Sequence, residues 1–171
     1  YVCGEDVVDA PEGITVDINT VVEAPEEPSK TGYTFKGWKA SLDSKDFFSF
    51  GSITSDVTLY PVWEINSYKV TFICGEDVVN PPSEITLDYG STIPPQNATK
   101  TGFRLNGWST KEDGSELYDF STPVTGPVAL YPVWVKTCTI TYVCGEDVVD
   151  APEDITVDIN TVVEAPEDPS K

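Results

Sequence analysis

Apolar and polar residues alternate along several short stretches of the chain. In Cys138–Cys144 the apolar side chains fall on every second position, and Lys69–Cys74 repeats the pattern. Ile14–Ile18 has the same period, as does Ile85–Tyr89. A period of two is typical of a half-buried strand. We therefore predict two strands at the start of each repeat, which pair as a hairpin across the polar connection Gly4–Glu12 and its counterparts.

A third strand is predicted in Thr31–Trp38, which reads TGYTFKGW and returns as TGFRLNGW at Thr101–Trp108, 70 positions later. Strict alternation from Phe35 would direct Trp38 away from the core. Gly37 can form a β-bulge that returns the indole to the core side. We therefore predict a bulge at this glycine and at its counterpart in the second copy.

The last predicted strand is the LYPVW block, found at Leu59–Trp63 and again at Leu130–Trp134. The proline inside this block favours either an edge position or a position whose nitrogen points away from the partner strand, because proline cannot donate a ladder hydrogen bond. Ahead of the second block, Ser121 or Thr122 precedes Pro123, a pattern that predicts a cap followed by one helical turn.

These elements define a tandem repeat. The motif CGEDVV begins at Cys3, Cys74 and Cys144, so its steps are 71 and 70 residues. We predict three segments: residues 1–66 form repeat one with a truncated first strand, 67–136 form a complete repeat two, and 137–171 form the first part of repeat three. Hardly any linker separates one repeat's last strand from the next repeat's first. We therefore expect a stiff, mainly β array that continues beyond this chain.

Charge and composition narrow the possible partners. Asp and Glu number 29 against 10 Lys and Arg, which gives a net charge of −19. Such a surface repels phosphate backbones, so nucleic acid is not expected as a partner. The acidity favours solubility and self-repulsion along a rod. Weak calcium binding is the alternative, although no DxDxDG-type loop occurs. No apolar run long enough to span a membrane and no signal peptide are present, so we expect no membrane insertion here.

Catalytic and metal-binding chemistry has no clear signal in the sequence. The chain has no histidine, and no motif singles out a Ser-Lys or paired-carboxylate site. We predict no catalytic residue, no cofactor-binding residue and no metal ligand, and hence no enzymatic activity.

The four cysteines do not form a CxxC pattern, and three of them are one residue in three copies. We expect Cys3, Cys74 and Cys144 to be free, inward-facing core residues. A disulfide between Cys138 and a neighbouring repeat is the alternative.

The four tryptophans allow two interpretations. They could form a sugar-stacking platform, or they could anchor the core of each repeat. Their fixed positions in the repeat favour the core. We predict that all four are mostly buried with other apolar side chains beside them: Trp38, Trp63, Trp108, Trp134, Tyr33, Phe35, Phe103 and Leu105.

Three blocks in this order resemble the Listeria–Bacteroides repeat, also called the internalin B-repeat family. They are Pro28–Trp38, Tyr118–Val124 and Leu59–Trp63. The resemblance implies an α+β fold of small β-grasp-like modules of about 70 residues, each with a short helical turn. Two departures occur: Cys-Gly-Glu-Asp stands where the family usually has an Asn-Gly-Gly turn, and Pro61 and Pro132 replace the usual Ala of the last strand.

The resemblance also implies a location and a role. Family members are tandem modules of bacterial surface proteins, so we expect an extracellular stalk or spacer on the cell surface. The alternative is an adhesin whose repeats themselves contact a host protein or glycan. Neighbouring repeats are the expected partners in either case.

The incomplete repeats suggest one further partner. The hairpin of repeat three carries an apolar face with Ile140 and Tyr142, and repeat one lacks most of its first strand. We predict that this hairpin docks either by strand exchange with repeat one of another chain or by packing on repeat two.

Overall fold

The computed structural model describes residues 1–144 and 151–166, and within these ranges the protein consists of strands and loops without a helix. The strands in chain order are β1 (Val7–Val8), β2 (Ser29–Lys30), β3 (Tyr33–Lys39), β4 (Tyr60–Ile65), β5 (Ser67–Phe72), β6 (Val78–Val79), β7 (Ile85–Asp88), β8 (Thr99–Lys100), β9 (Phe103–Ser109), β10 (Val128–Ile140) and β11 (Ile155–Asp158). The mainly β class predicted from the alternating pattern is confirmed.

The chain forms two compact units. The first contains Tyr1–Tyr68 together with Thr86–Ser91 and Pro123–Gly126. The second contains Lys69–Ile85, Thr92–Thr122 and the described residues from Pro127 onward.

A four-stranded sheet of order β1-β2-β3-β4 forms the centre of the first unit. All its pairs are antiparallel, with β3 against β4 as the longest ladder. The predicted third and last strands of repeat one are thus neighbours. Their aromatic side chains meet edge to face: the ring centroids of Phe35 and Trp38 are 5.3 Å apart, and those of Phe35 and Trp63 are 5.4 Å apart. Aromatic pairs prefer such geometry.

A larger sheet has the order β6-β8-β9-β10-β5-β7, and β11 pairs with β10 outside this path. Here β10 is antiparallel to β9 but parallel to β5. The last strand of repeat two therefore lies beside the first strand of the same repeat. Leu130 of β10 and Val70 of β5 are both completely buried at this contact.

The predicted bulge is confirmed in both copies. Phe35 pairs with Trp63 and Gly37 with Val62, so Lys36 is the extra residue between them. The register between β9 and β10 shifts in the same way. Gly37 has a φ of 138°, a backbone conformation that favours glycine. The bulge directs Trp38 inward, where only 4% of its surface remains exposed.

The initial hairpin is confirmed in repeat three, where β11 pairs with the end of β10 through Ile155↔Ile140. In repeat two, β5 and β7 are likewise neighbours. In repeat one, however, the predicted strand Ile14–Ile18 does not form. Its partner strand is represented only by Tyr1–Cys3, so the segment has no ladder to join.

Two smaller predictions also require correction. The polar connection of each of the first two repeats carries a two-residue strand, β1 or β6. The helical turn predicted to begin at Pro123, after a Ser121 or Thr122 cap, is not confirmed, and neither is the β-grasp detail. The Asp119 carboxylate instead accepts hydrogen bonds from the backbone N–H and the hydroxyl of Ser121, at 2.8 and 2.7 Å. Such a side-chain bond closes a turn in place of a helix.

Both LYPVW prolines lie where they remove no ladder bond. Pro61 is in β4, which is paired only with β3 in the described residues. Pro132 is in β10 beyond the short contact with β5, which ends at Leu130. The predicted edge position is therefore confirmed for Pro61. Pro132 is in a strand between β9 and β5, but at a point where the β5 side of that strand has no described partner.

We predict that Gly37→Ala destabilises the first unit by about 1–3 kcal/mol. A Cβ at this position would lie 2.8 Å from the ring of Phe47, and the φ of 138° is itself unfavourable for alanine. Urea unfolding followed by tryptophan fluorescence measures the change. Gly51→Ala is the matched control, because a Cβ there meets nothing within 4 Å. Equal losses in the two variants would contradict the bulge as the cause.

Candidate functional site at the repeat junction

The junction between repeats two and three is formed by one unbroken strand. β10 is 13 residues long, or roughly 43 Å at a rise of about 3.3 Å per residue. Up to Lys136 it pairs with β9, and from Thr137 it pairs with β11. The pairing changes partner between two consecutive residues, so no linker remains between the repeats.

Backbone hydrogen bonds connect both sides of this change. The N–H of Thr137 donates to the carbonyl of Gly102 at 2.9 Å, which continues the contact with repeat two. The N–H of Ile159, just after β11, donates to the carbonyl of Lys136 at 2.8 Å. Two adjacent residues of β10 are therefore bonded to segments of two different repeats. Rotation about the junction would break these bonds.

A charged pair spans the same junction. The guanidinium of Arg104 in β9 donates from Nε to Oδ1 of Asp158 at 2.9 Å and from Nη2 to Oδ2 at 2.5 Å. This paired geometry is the strong and directional form of an Arg–carboxylate contact. The hydrogen bond from Arg104 is the main cause that lowers the pKa of the Asp158 carboxyl below its ordinary value. Both side chains are partly open to solvent, so the pair contributes mainly orientation.

The junction after repeat one, which lies inside the first unit, has one additional residue. Asn66 separates β4 from β5. Its N–H donates to the carbonyl of Gly32 at 2.9 Å, and its carbonyl accepts from the N–H of Tyr89 at 2.7 Å. A single residue thus makes the two backbone contacts that Lys136 and Thr137 share at the other junction.

Two side-chain hydrogen bonds lie at this first junction, and Asp88 supplies the one charged group in them. Thr34, at the position of Arg104, donates its hydroxyl to Oδ1 of Asn66 at 2.6 Å. Asp88, at the position of Asp158, accepts from the hydroxyl of Ser67 at 2.7 Å. Polar side-chain contacts therefore stabilise both junctions, but the residue types differ: the first uses hydroxyl and amide groups with one carboxylate, and the second uses an Arg–Asp pair.

Sequence reasoning found the close approach of the strands but missed these contacts. The one signal was spacing: six residues lie between Trp63 and Val70, and five lie between Trp134 and Ile140. This difference of one is the insertion of Asn66.

The tryptophans lie largely in the core. Trp38 and Trp108 are 4% and 1% exposed, and Trp63 and Trp134 are half-buried. The indole N–H of Trp108 donates to the carbonyl of Gln96 at 3.1 Å. Burial is thus confirmed fully for the first pair and partly for the second. The four side chains expected beside them are half-buried: Tyr33, Phe35, Phe103 and Leu105.

All four cysteines are free, as predicted for three of them. Cys3, Cys74 and Cys144 are half-buried, whereas Cys138 is exposed. Burial raises the pKa of the Cys3 and Cys74 thiols. The thiolate is the reactive form, so the raised pKa makes each of these two thiols less reactive than an ordinary cysteine.

Among residues 1–144 and 151–166, no group of three or more Cys, Asp and Glu side chains is placed to hold a metal ion. The same residues contain no helix of the length and hydrophobicity that a membrane span requires.

Comparison with known proteins identifies the class. The model of the Listeria–Bacteroides repeat domain matches residues 4–62 and 68–133. The chain therefore belongs to the Listeria–Bacteroides repeat family.

Two relatives illustrate the setting of such repeats. Internalin H of Listeria monocytogenes is 32% identical over 142 residues, which are 80% of this chain and 25% of that protein. A protein of Evansella cellulosilytica named as a membrane protein is 35% identical over 127 residues, or 71% of this chain and 18% of the relative. The chain thus spans a quarter or less of the length of these relatives. No solved structure matches it.

The Arg104–Asp158 pair predicts that the stability of the junction depends on pH. Arg104→Gln should return the pKa of Asp158 toward its ordinary value, because the hydrogen bond that favours the carboxylate is lost. In the wild type the bond stabilises the junction above a pH of about 4, and this stabilisation disappears as the pH falls through the lowered pKa. Carboxyl ¹³C NMR titration measures the change. Asp119, whose pKa is lowered by Ser121, is the internal control and should not shift. An unchanged Asp158 would contradict the pairing.

The different exposure of the cysteines predicts the order in which they react with a thiol reagent. In the folded protein, a thiol reagent such as DTNB should modify Cys138 first because it is the exposed thiol. Cys138→Ser should remove the fast phase and leave the slow ones. The unfolded, non-reduced protein should contain four reactive thiols. A lower total would reveal a disulfide and contradict the free cysteines.

Proposed function

We propose that this chain is a non-enzymatic stalk or spacer segment of an extracellular protein on a bacterial cell surface. Membership of the Listeria–Bacteroides repeat family supports this role, as does the similarity to internalin H. The relative named as a membrane protein supports a location at the cell envelope. In this role the repeats hold a distant domain away from the surface.

The observation that carries the proposal is the continuity of β10. A spacer must transmit direction from one module to the next, and a flexible linker would lose that direction within a few residues. Here Lys136 and Thr137 are consecutive residues of one strand, and their backbone groups bond to both repeats. Arg104 and Asp158 add a directional side-chain contact.

Surface charge supports the same role. The net charge of −19 opposes collapse of a rod on itself and keeps neighbouring rods apart. The apolar aromatic surface that an adhesive module could present is instead used inside the repeats, as the burial of Trp38 and Trp108 indicates.

For the fold of each repeat we propose a β-grasp-like arrangement. The parallel pairing of the first strand with the last strand of repeat two supports it, through Val70↔Val128 and Phe72↔Leu130. The remaining pairs of that repeat whose registers are described are antiparallel.

Stiffness at the junction is directly measurable. Residual dipolar couplings from β9 and from β11 should fit one alignment tensor, since both strands pair with β10. Inserting Gly-Gly-Ser between Lys136 and Thr137 should make two tensors necessary. The same insertion after Asp43, in an exposed loop of the first unit, is the matched control and should leave the single tensor unchanged.

Two outcomes would overturn the stalk. If the wild-type couplings already require independent tensors, the junction is a hinge and the chain cannot act as a stiff spacer. If the purified chain binds intact host cells or a glycan array saturably, the adhesive role is favoured instead. The expected result is one tensor and no saturable binding.

A further inference from the structure

The first and last strands of repeat two lie side by side and run in the same direction. β5 and β10 pair in parallel from Val70↔Val128 to Phe72↔Leu130. The N–H of Ile73 adds a bond to the carbonyl of Leu130 at 2.8 Å. Because the strands are parallel, the chain enters the repeat at one end of this contact and leaves it at the opposite end.

This arrangement determines how tension acts on repeat two. A force along the chain pulls β5 toward its own beginning and β10 toward its own end, so the two strands are driven past each other along their common axis. The ladder is then loaded in shear, and its hydrogen bonds share the force. If both strands were pulled at the same end, the bonds would open one after another, each under the whole force. A ladder loaded in shear therefore ruptures at a higher force than a ladder that is peeled.

Apolar side chains at this contact oppose the same movement. Val70 and Leu130 have no exposed surface, and Phe72 is only 8% exposed. The ring of Phe72 packs edge to face on Trp108, with centroids 5.1 Å apart. Sliding β5 along β10 would pull these side chains out of close-packed positions and expose them to water, which is unfavourable.

The rest of β10 is anchored in the same repeat. Its antiparallel ladder with β9 extends from Tyr131↔Ser109 to Lys136↔Phe103. From Thr137 the strand continues into the ladder with β11 without a linker. A pull that arrives from repeat three therefore acts on β10 along its axis, against the ladders with both β9 and β5.

We propose that the parallel contact of Val70–Ile73 with Val128–Leu130 is a mechanical clamp that keeps repeat two folded when the chain is under tension. Resistance to a pulling force depends on the rate of unfolding along the pulled direction, which the clamp lowers. The use of this clamp in a stalk rests on the proposed function, since a stalk is pulled whenever its far end is held. The resistance itself follows from the ladder alone.

Single-molecule pulling in two directions tests the clamp. Both variants use the 171-residue protein, with the other three cysteines replaced by alanine: Cys3, Cys74 and Cys144. In the shear variant the handles are attached through Lys69→Cys and the native, exposed Cys138. In the peeling variant Cys138→Ser removes that attachment and Pro127→Cys replaces it. Lys69 and Pro127 are exposed and directly precede the paired residues Val70 and Val128, at the same end of the ladder.

At equal pulling speed, the shear variant should rupture at a several-fold higher force than the peeling variant. Equal forces in the two directions would overturn the proposal, because the same hydrogen bonds break in both. The result is independent of the alignment tensors of β9 and β11. The clamp can therefore fail while the junction is stiff, and the junction can be a hinge while the clamp holds.

Two substitutions at the far end of the ladder test a single bond. Ile73→Pro removes the N–H that donates to Leu130, whereas Ile73→Ala keeps it and shortens the same 43% exposed side chain. In shear, where the bonds share the force, Ile73→Pro should rupture at a lower force than Ile73→Ala. In peeling, where this bond opens last, the two variants should rupture at equal force.

Two results of this comparison would contradict the clamp. Equal shear forces for Ile73→Pro and Ile73→Ala would show that the bond bears no share of the tension. An equal loss in both pulling directions would show general destabilisation of the repeat instead of a loss specific to shear.

Discussion

The backbone ladder along β10 is the interaction on which the rest of this protein depends. Its first three residues pair in parallel with β5, its middle pairs with β9, and its end pairs with β11. One strand therefore closes the core of repeat two and begins repeat three. Because strand hydrogen bonds fix both distance and twist between partners, β10 relates the orientation of repeat three to that of repeat two.

The buried tryptophans make this ladder possible. Trp108 lies against Phe72 of the first strand, while Trp108 itself pairs with Pro132 of β10. A strict alternation would leave this indole in solvent, and the glycine bulge corrects its direction. The irregular residue at the bulge is thus required by the core, and the same solution in repeat one explains why Gly37 recurs as Gly107.

The sequence predicted the elements whose cause is local. Alternation predicted the hairpin strands, the glycine predicted the bulge, and the proline predicted a side of the strand without a ladder partner. The predictions that were wrong depended on a distant strand or on a side chain that competes with the backbone. Ile14–Ile18 has the right pattern but no neighbouring strand, and the carboxylate of Asp119 closes a turn where a helical turn was expected. Neither effect is visible in residue periodicity.

The side-chain contacts at the junction also could not be predicted from local sequence patterns. Arg104 and Asp158 are 54 positions apart, and each by itself is an ordinary charged residue on a strand. Only the pairing of β10 with both β9 and β11 brings them together. The short spacing after Trp134 indicated that the repeats are directly connected, but not which side chains join them.

Hydrogen exchange at the junction tests the central claim most directly. The N–H groups of Thr137 and Ile159 bond across the two repeats. If one continuous ladder joins the repeats, these two amides exchange as slowly as those of β9 in the same protein. If both exchange as fast as the amide of the exposed Val143, the ladder is interrupted at the junction and the account of a stiff array is wrong.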